Sequence, residues 1–190
     1  IIKMVKRKTC IFISGRGSNL KNLIYHSRDN SFPININLVI SNNRKAFGIN
    51  YAKKYKIPYI FINTKLINYE NKILLNLKKY KISFICLAGY MKILSKKIIK
   101  DYRGKIINIH PSLLPKFKGL NTFARILKNN ESEAGCTVHY VNEKLDSGNT
   151  IVKKKFYIRN KDNENMLKYK TQKLEYRAFP EAIIKVFRNN

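Results

Sequence analysis

The stretch Lys8 to Arg28, KTCIFISGRGSNLKNLIYHSR, decides the fold. Its first part, Cys10-Ile11-Phe12-Ile13, is a short continuous apolar run, the pattern of a strand buried on both faces. Ser14-Gly15-Arg16-Gly17 interrupts it, and Leu20, Leu23 and Ile24 then recur at helical spacing. Strand, glycine turn and helix thus follow within some twenty residues. The same alternation runs outward along the chain. Further strands are expected at 36–41, 59–62, 83–88, 105–109, 136–141 and 150–159. Helices are expected at 45–55, 66–79, 95–101 (capped by Ser95), 120–128 and 163–187, the last bent near Pro180. Strands alternating with helices build parallel βαβ units. The expected fold is therefore α/β, a doubly wound, mostly parallel Rossmann-like sheet flanked by helices. No internal repeat or linker divides the 190 residues, which are expected to form one domain; the order of residues 1–7 is left open.

Composition bounds the function. No segment reaches the ~20 apolar residues of a membrane-spanning helix. The run from Cys10 to Ile13 is too short for a signal peptide, so a cytoplasmic location is expected. Cys10, Cys86 and Cys136 each sit in an apolar stretch with no CxxC pair, the pattern of buried, reduced thiols. The formal charge of +28 points at first to nucleic acid. Yet the basic residues are mostly Lys and are spread through the whole chain. Lys, Asn and Ile together fill about two-fifths of it. Compositional drift in an AT-rich gene explains that pattern better than a binding face does, so no specific nucleic-acid partner is expected.

In a doubly wound sheet, ligands bind beyond the carboxyl ends of the strands, and three segments there carry polar chemistry. The first is Ser14-Gly15-Arg16-Gly17-Ser18-Asn19-Leu20. Glycines admit a ligand close to the backbone, and a helix start favours phosphate. Leu20 stands where a dinucleotide loop would have its third glycine, and no P-loop lysine follows. An ordinary glycine turn with a Ser cap is the alternative. The second is Asn108-Ile109-His110-Pro111-Ser112-Leu113-Leu114-Pro115. Period two puts Asn108 and His110 on one side of a strand, where an amide and an imidazole can stabilise an oxyanion and move a proton. A structural pair is the alternative reading. The third runs from Gly135 to Gly148 and contains His139 and Asp146. A carboxylate there would orient an imidazole and raise its pKa, although spacing alone reads Asp146 as a turn residue.

SGRGSNL, AGYMKIL, NIHPSLLPKFKG and GCTVHYVNEKLDSGNTI together resemble the glycinamide ribonucleotide formyltransferases, in order and in spacing, over roughly residues 8 to 187. The resemblance implies formyl transfer from 10-formyltetrahydrofolate, as cosubstrate, to glycinamide ribonucleotide in purine synthesis, with no metal. It implies Asn108, His110 and Asp146 as the catalytic trio, with Asp146 raising the pKa of His110. Gly17, Ser18 and Asn19 would hold the ribonucleotide phosphate, with Gln172 and Glu175 also on the ribonucleotide. Met91, Lys92, Ile93 and Leu94 would line the folate pocket together with Asn108, Asn142, Glu143, Lys144, Leu145 and Asp146. The N-terminal half would thus bind phosphate, and the C-terminal half would bind folate and carry catalysis. A monomer or homodimer is expected. Lys92 stands where many relatives carry Arg, and Asn121 where bacterial members commonly carry His.

Methionyl-tRNA formyltransferase and formyltetrahydrofolate hydrolase are the nearest alternatives. The tRNA enzyme shares the Asn-x-His element and would suit the basic charge. Its first loop lacks Gly-Ser-Asn-Leu, and it usually carries a further C-terminal domain. The hydrolase typically has an added N-terminal regulatory domain. A nucleic-acid-binding protein on a relic enzyme fold is more remote, since the trio is intact. The drift reading of the charge predicts AT-rich codons at the Lys and Asn positions, and GC-rich codons there in the gene sequence would contradict it.

Overall fold

A computed structural model describes residues 5–188. The expectation about residues 1–4 falls outside that range. From Lys6 onward the chain is anchored: its Nζ donates to the Ser27 carbonyl at 2.7 Å, and Arg7 opens the first strand. The chain divides into two compact units, Ile1–Ile107 and Asn108–Asn190.

The first unit begins with β1 (Arg7–Ile13), α1 (Ser18–Ser27), β2 (Ile34–Ser41) and α2 (Gly48–Lys54). It continues through β3 (Tyr59–Phe61), α3 (Tyr69–Lys79), β4 (Phe84–Leu87) and α4 (Lys96–Asp101). Its strands lie in the order β3-β2-β1-β4, and β1 pairs in parallel with both β2 and β4. Five residues at the end of β1 and all four of β4 are buried, as their apolar runs require. α1 buries Leu20, Leu23 and Ile24, and α3 buries Ile73 and Leu77, each at helical spacing. Ser95 caps α4, its Oγ accepting from the Ile98 N–H at 3.3 Å.

The chain leaves β1 toward β2 on one side and returns to β4 on the other. The carboxyl ends of β1 and β4 therefore form a topological switch point, the position at which such sheets bind ligands. Two loops meet there. The Ser14 N–H donates to the Gly89 carbonyl at 3.2 Å, and the Met91 N–H donates to Ser14 Oγ at 2.8 Å. Gly17 has φ of +71°, and a Cβ on it would lie 2.5 Å from the Gly48 Cα. Only glycine permits that approach of the first loop to α2.

β5 (Lys105–His110) leads into the second unit. There follow α5 (Thr122–Lys128), β6 (Glu133–Tyr140), β7 (Thr150–Tyr157) and α6 (Glu164–Arg188), which runs unbroken through Pro180. β6 and β7 pair antiparallel, so the strands are mostly, not wholly, parallel. α6 covers the hairpin with Leu167, Ala178, Phe179, Ala182, Ile183 and Val186.

Two helices, α2 and α3, start three residues later than periodicity suggests. Asn43 Oδ1 accepts from the Lys45 N–H at 2.9 Å, and the Asn43 carbonyl accepts from the Ala46 N–H at 3.1 Å. That Asx turn occupies the expected first residues of α2. Asn63 makes the same local bond to Lys65 at 3.1 Å before α3. β6 begins at Glu133, three residues earlier than expected, because Glu133 and Ala134 pair with Tyr157 and Phe156 across the hairpin.

Among the described residues, no helix is long and apolar enough to cross a membrane. Within the hairpin, a Cβ on Gly135 would lie 2.0 Å from the Lys154 carbonyl oxygen. Gly135→Ala is therefore expected to cost about 2 kcal/mol or more. A fall in Tm of roughly 5 °C would record it, and an unchanged Tm would contradict the packing described.

Candidate active site

Asn108 and His110 project from the same side of β5 at the start of the second unit. Asp146 lies between β6 and β7 with φ of +45°, a left-handed conformation uncommon for a non-glycine residue. It is 9% exposed and His110 is 6% exposed. The structure brings these three together. His110 Nδ1 faces Asp146 Oδ2 at 3.3 Å. Asn108 Nδ2 lies 3.5 Å from Asp146 Oδ1.

A fourth side chain joins them. His139 of β6 is 2% exposed and approaches Asp146 Oδ1 with Nε2 at 3.6 Å. Its Nδ1 lies 2.8 Å from the Tyr140 carbonyl, which can only accept, so the proton is assigned to Nδ1. Nε2 is then an acceptor, and Asn108 Nδ2 donates to it at 3.2 Å. This network fixes the amide of Asn108 with its nitrogen turned toward His139 and Asp146. His139 and Thr137 share a face of β6 by the same period-two rule that linked Asn108 to His110. That is the signal which could have placed them beside the trio.

Backbone groups complete the site. The Gly119 N–H donates to Asp146 Oδ2 at 2.9 Å. His110 Nε2 donates to the Phe117 carbonyl at 2.9 Å. Phe117 has φ of +56° and Asn121, directly before α5, has φ of +54°, so the loop between β5 and α5 contains two left-handed non-glycine residues. The turn that follows His110 is fastened from several sides. Thr137 Oγ1 donates to the Ser112 carbonyl at 2.7 Å and accepts from the Leu114 N–H at 3.1 Å. Ser112 Oγ donates to the Lys116 carbonyl at 2.6 Å, and Lys153 Nζ donates to the Leu114 carbonyl at 2.6 Å.

Burial pushes the His110 pKa down, and it outweighs the Phe117 carbonyl and the Asp146 carboxylate, both of which push it up. His139 and Arg125 also push it down. Asp146 thus raises the His110 pKa as the resemblance implied, but burial leaves the ring below its ordinary value. For Asp146, burial pushes the pKa up, but His139 in its protonated form, the Gly119 N–H and the positive charge of a protonated His110 together hold it below the ordinary carboxyl value. Both ring nitrogens of His110 face acceptors, at 2.9 and 3.3 Å. A neutral ring protonated at Nε2 leaves Nδ1 open toward Asp146, a position that takes up one proton with favourable geometry.

The remaining expected residues are distributed over both units. In the first, Gly17 and Asn19 are buried and Ser18 is half-buried at the start of α1, whose first turn contains no acid. Met91 and Ile93 are 69% and 61% exposed, large for apolar side chains; Lys92 is exposed, and Leu94 is buried. In the second, Gln172 and Glu175 lie three residues apart on α6, both half-buried. Glu175 is near enough to Cys136 of β6 to raise its thiol pKa. Asn142, Glu143, Lys144 and Leu145 form an exposed turn, with the Lys144 N–H donating to Asn142 Oδ1 at 3.0 Å. The three cysteines are free and buried, and burial pushes the Cys136 thiol up to about 12. None of them is a thiolate nucleophile near neutral pH.

A family model described as formyl transferase matches residues 7–183. A phosphoribosylglycinamide formyltransferase of Haemophilus influenzae is 38% identical over 183 residues, spanning 93% of this chain and 85% of that protein. This chain belongs to the phosphoribosylglycinamide formyltransferase family. The crystal structure of the Brucella melitensis formyltransferase matches with a TM-score of 0.90 at 37% identity, over 97% of both chains. The chain is also 40% identical over 189 residues to the trifunctional purine biosynthetic protein adenosine-3 of Drosophila pseudoobscura pseudoobscura. It spans 96% of its own length there but only 14% of that relative.

The lowered His110 pKa has a consequence for stability. The folded chain binds that proton less readily than the unfolded chain does. The contribution of His110 is therefore complete above the ordinary value of 6.5 and is lost as pH falls through the lower folded value. The depressed Asp146 carboxyl acts in the same direction, but only further down, below 3.8. The Tm is expected to begin falling below about pH 6.5, and His110→Gln is expected to flatten that first part of the fall. An equally steep fall in the variant would contradict the assignment.

Proposed function

We propose that this chain transfers a formyl group from 10-formyltetrahydrofolate to the amine of glycinamide ribonucleotide, a step of de novo purine synthesis. The observation that carries the reading is the convergence of the Asn108 amide, the His110 imidazole and the buried Asp146 carboxylate within one hydrogen-bonded network. The family membership and the names of the relatives support the same substrates.

In this reading the neutral glycyl amine attacks the formyl carbon, and the carbonyl electrons move onto oxygen. Asn108 donates to that oxyanion. Its longer contact, 3.5 Å to Asp146, is the one an oxyanion would recruit, while the 3.2 Å bond to His139 keeps the amide aimed. The attacking nitrogen loses a proton, and the leaving folate nitrogen gains one as its bond to the formyl carbon breaks. His110 and Asp146 form a pair that can hold that proton between the two events, with a water carrying it to and from the carboxylate. Neither a metal nor a covalent enzyme intermediate is needed.

Gly17, Ser18 and Asn19 would hold the ribonucleotide phosphate. A helix start with no acid in its first turn suits an anion there. Gln172 and Glu175 would contact the remainder of the ribonucleotide. The exposed Met91 and Ile93, with Lys92 and Leu94, offer apolar surface and backbone groups to the folate ring. Asn108 and residues 142–146 would also contribute to folate binding. The enzyme would work in the cytoplasm as a monomer or homodimer, without a specific nucleic-acid partner.

Deformylation of a 10-formyl folate analogue, followed by absorbance, tests the reading. It is expected to require glycinamide ribonucleotide. Signal without the ribonucleotide would indicate a hydrolase, and no signal with either would remove the proposed substrates. His110→Ala and Asp146→Asn are each expected to lower turnover about a hundredfold or more with the fold intact. Near-normal rates in both would remove the mechanism.

A further inference from the structure

Two of the contacts that orient the His110–Asp146 pair come from a single short loop. The Phe117 carbonyl accepts from His110 Nε2, and the Gly119 N–H donates to Asp146 Oδ2, at 2.9 Å each. The loop is not regular structure, and Phe117 within it has φ of +56°. A bulky residue in that region is held there only if its surroundings determine it. Part of the restraint is apolar, since Phe117 packs against the buried cluster of Ile126, Ala134 and Leu167. The other part is Arg125 on α5. Its Nη1 donates to the Lys118 carbonyl at 2.6 Å and to the Leu120 carbonyl at 3.4 Å, and its guanidinium lies over the Phe117 ring, 5.5 Å from the centroid. Arg125 thus grips the residues on both sides of Gly119 and covers the residue whose carbonyl accepts from His110 Nε2.

We propose that Arg125 is a positioning residue for formyl transfer, holding the 117–120 loop so that the Phe117 carbonyl and the Gly119 N–H orient His110 and Asp146. The proposal rests on the formyl-transfer reading for its kinetic consequence, and on the loop geometry alone for its structural one. Arg125 does not touch the reacting atoms, so its removal acts on turnover through the geometry of the pair. Both hydrogen bonds leave from Nη1, so a lysine ammonium could make them in part, but it would lose the planar guanidinium over the Phe117 ring.

The test is Arg125→Ala and Arg125→Lys, read by steady-state kinetics and by nitrogen-15 NMR of the His110 ring. Arg125→Ala is expected to lower kcat about tenfold while KM for both substrates stays within about twofold. The His110 spectrum is expected to change from a single Nε2–H tautomer to a mixture. Arg125→Lys is expected to recover part of kcat, and it supplies both readouts if the alanine variant fails to fold. An unchanged kcat together with an unchanged His110 tautomer would overturn the proposal, whatever happens to Tm. If the unaltered chain shows no ribonucleotide-dependent turnover, the formyl-transfer reading fails. The NMR arm, which needs no substrate, then decides the positional claim by itself.

Discussion

Everything in the second unit's polar network depends on where one buried carboxylate points. Asp146 has one oxygen tied to the Gly119 N–H and facing His110, and the other facing Asn108 and His139. A buried charge costs several kcal/mol unless it is surrounded by donors. Here the donors are the Gly119 N–H and the Asn108 amide, and Asn108 is also a group that the chemistry needs. The carboxylate selects the inward orientation of the Asn108 nitrogen and leaves His110 Nδ1 one proton short of saturation. The network is therefore a fold constraint and a chemical device at once.

The conformations around it are ones that a chain does not adopt without compensation. Phe117, Asn121 and Asp146 all have positive φ, and none is glycine. Such residues cost of order 1–3 kcal/mol each and persist where the surroundings determine them. The surroundings supply that determination in layers. Thr137 and Ser112 fasten the turn after His110. Lys118 Nζ donates to Ser147 Oγ at 2.5 Å and joins the Phe117 loop to the Asp146 loop. Buried strands with few polar atoms form the base, and function sits on loops whose geometry they fix.

Much of this was legible in the sequence. Unbroken apolar runs at Cys10–Ile13 and Phe84–Leu87 mark buried parallel strands with little ambiguity, because few other elements read that way. Asn108 and His110 follow from period two, since both lie in one strand. The starts of α2 and α3 were less legible, because Asn43 and Asn63 bond locally and delay the first helical turn. Asp146 could be assigned only by resemblance. No spacing rule reports that a loop carboxylate folds back on a strand. The Phe117 carbonyl, the Gly119 N–H and the sign of the His110 shift leave no trace in residue types. They arise from backbone direction and burial, and these exist only in the folded chain.

The central claim is that His110 and Asp146 act as one proton-holding unit. A double-mutant cycle on kcat, with His110→Ala, Asp146→Asn and the pair combined, tests it directly. If the two residues act as one unit, the double variant turns over about as slowly as the worse single variant. A double variant slower by the product of the two single losses would mean that they act independently, and would contradict the account.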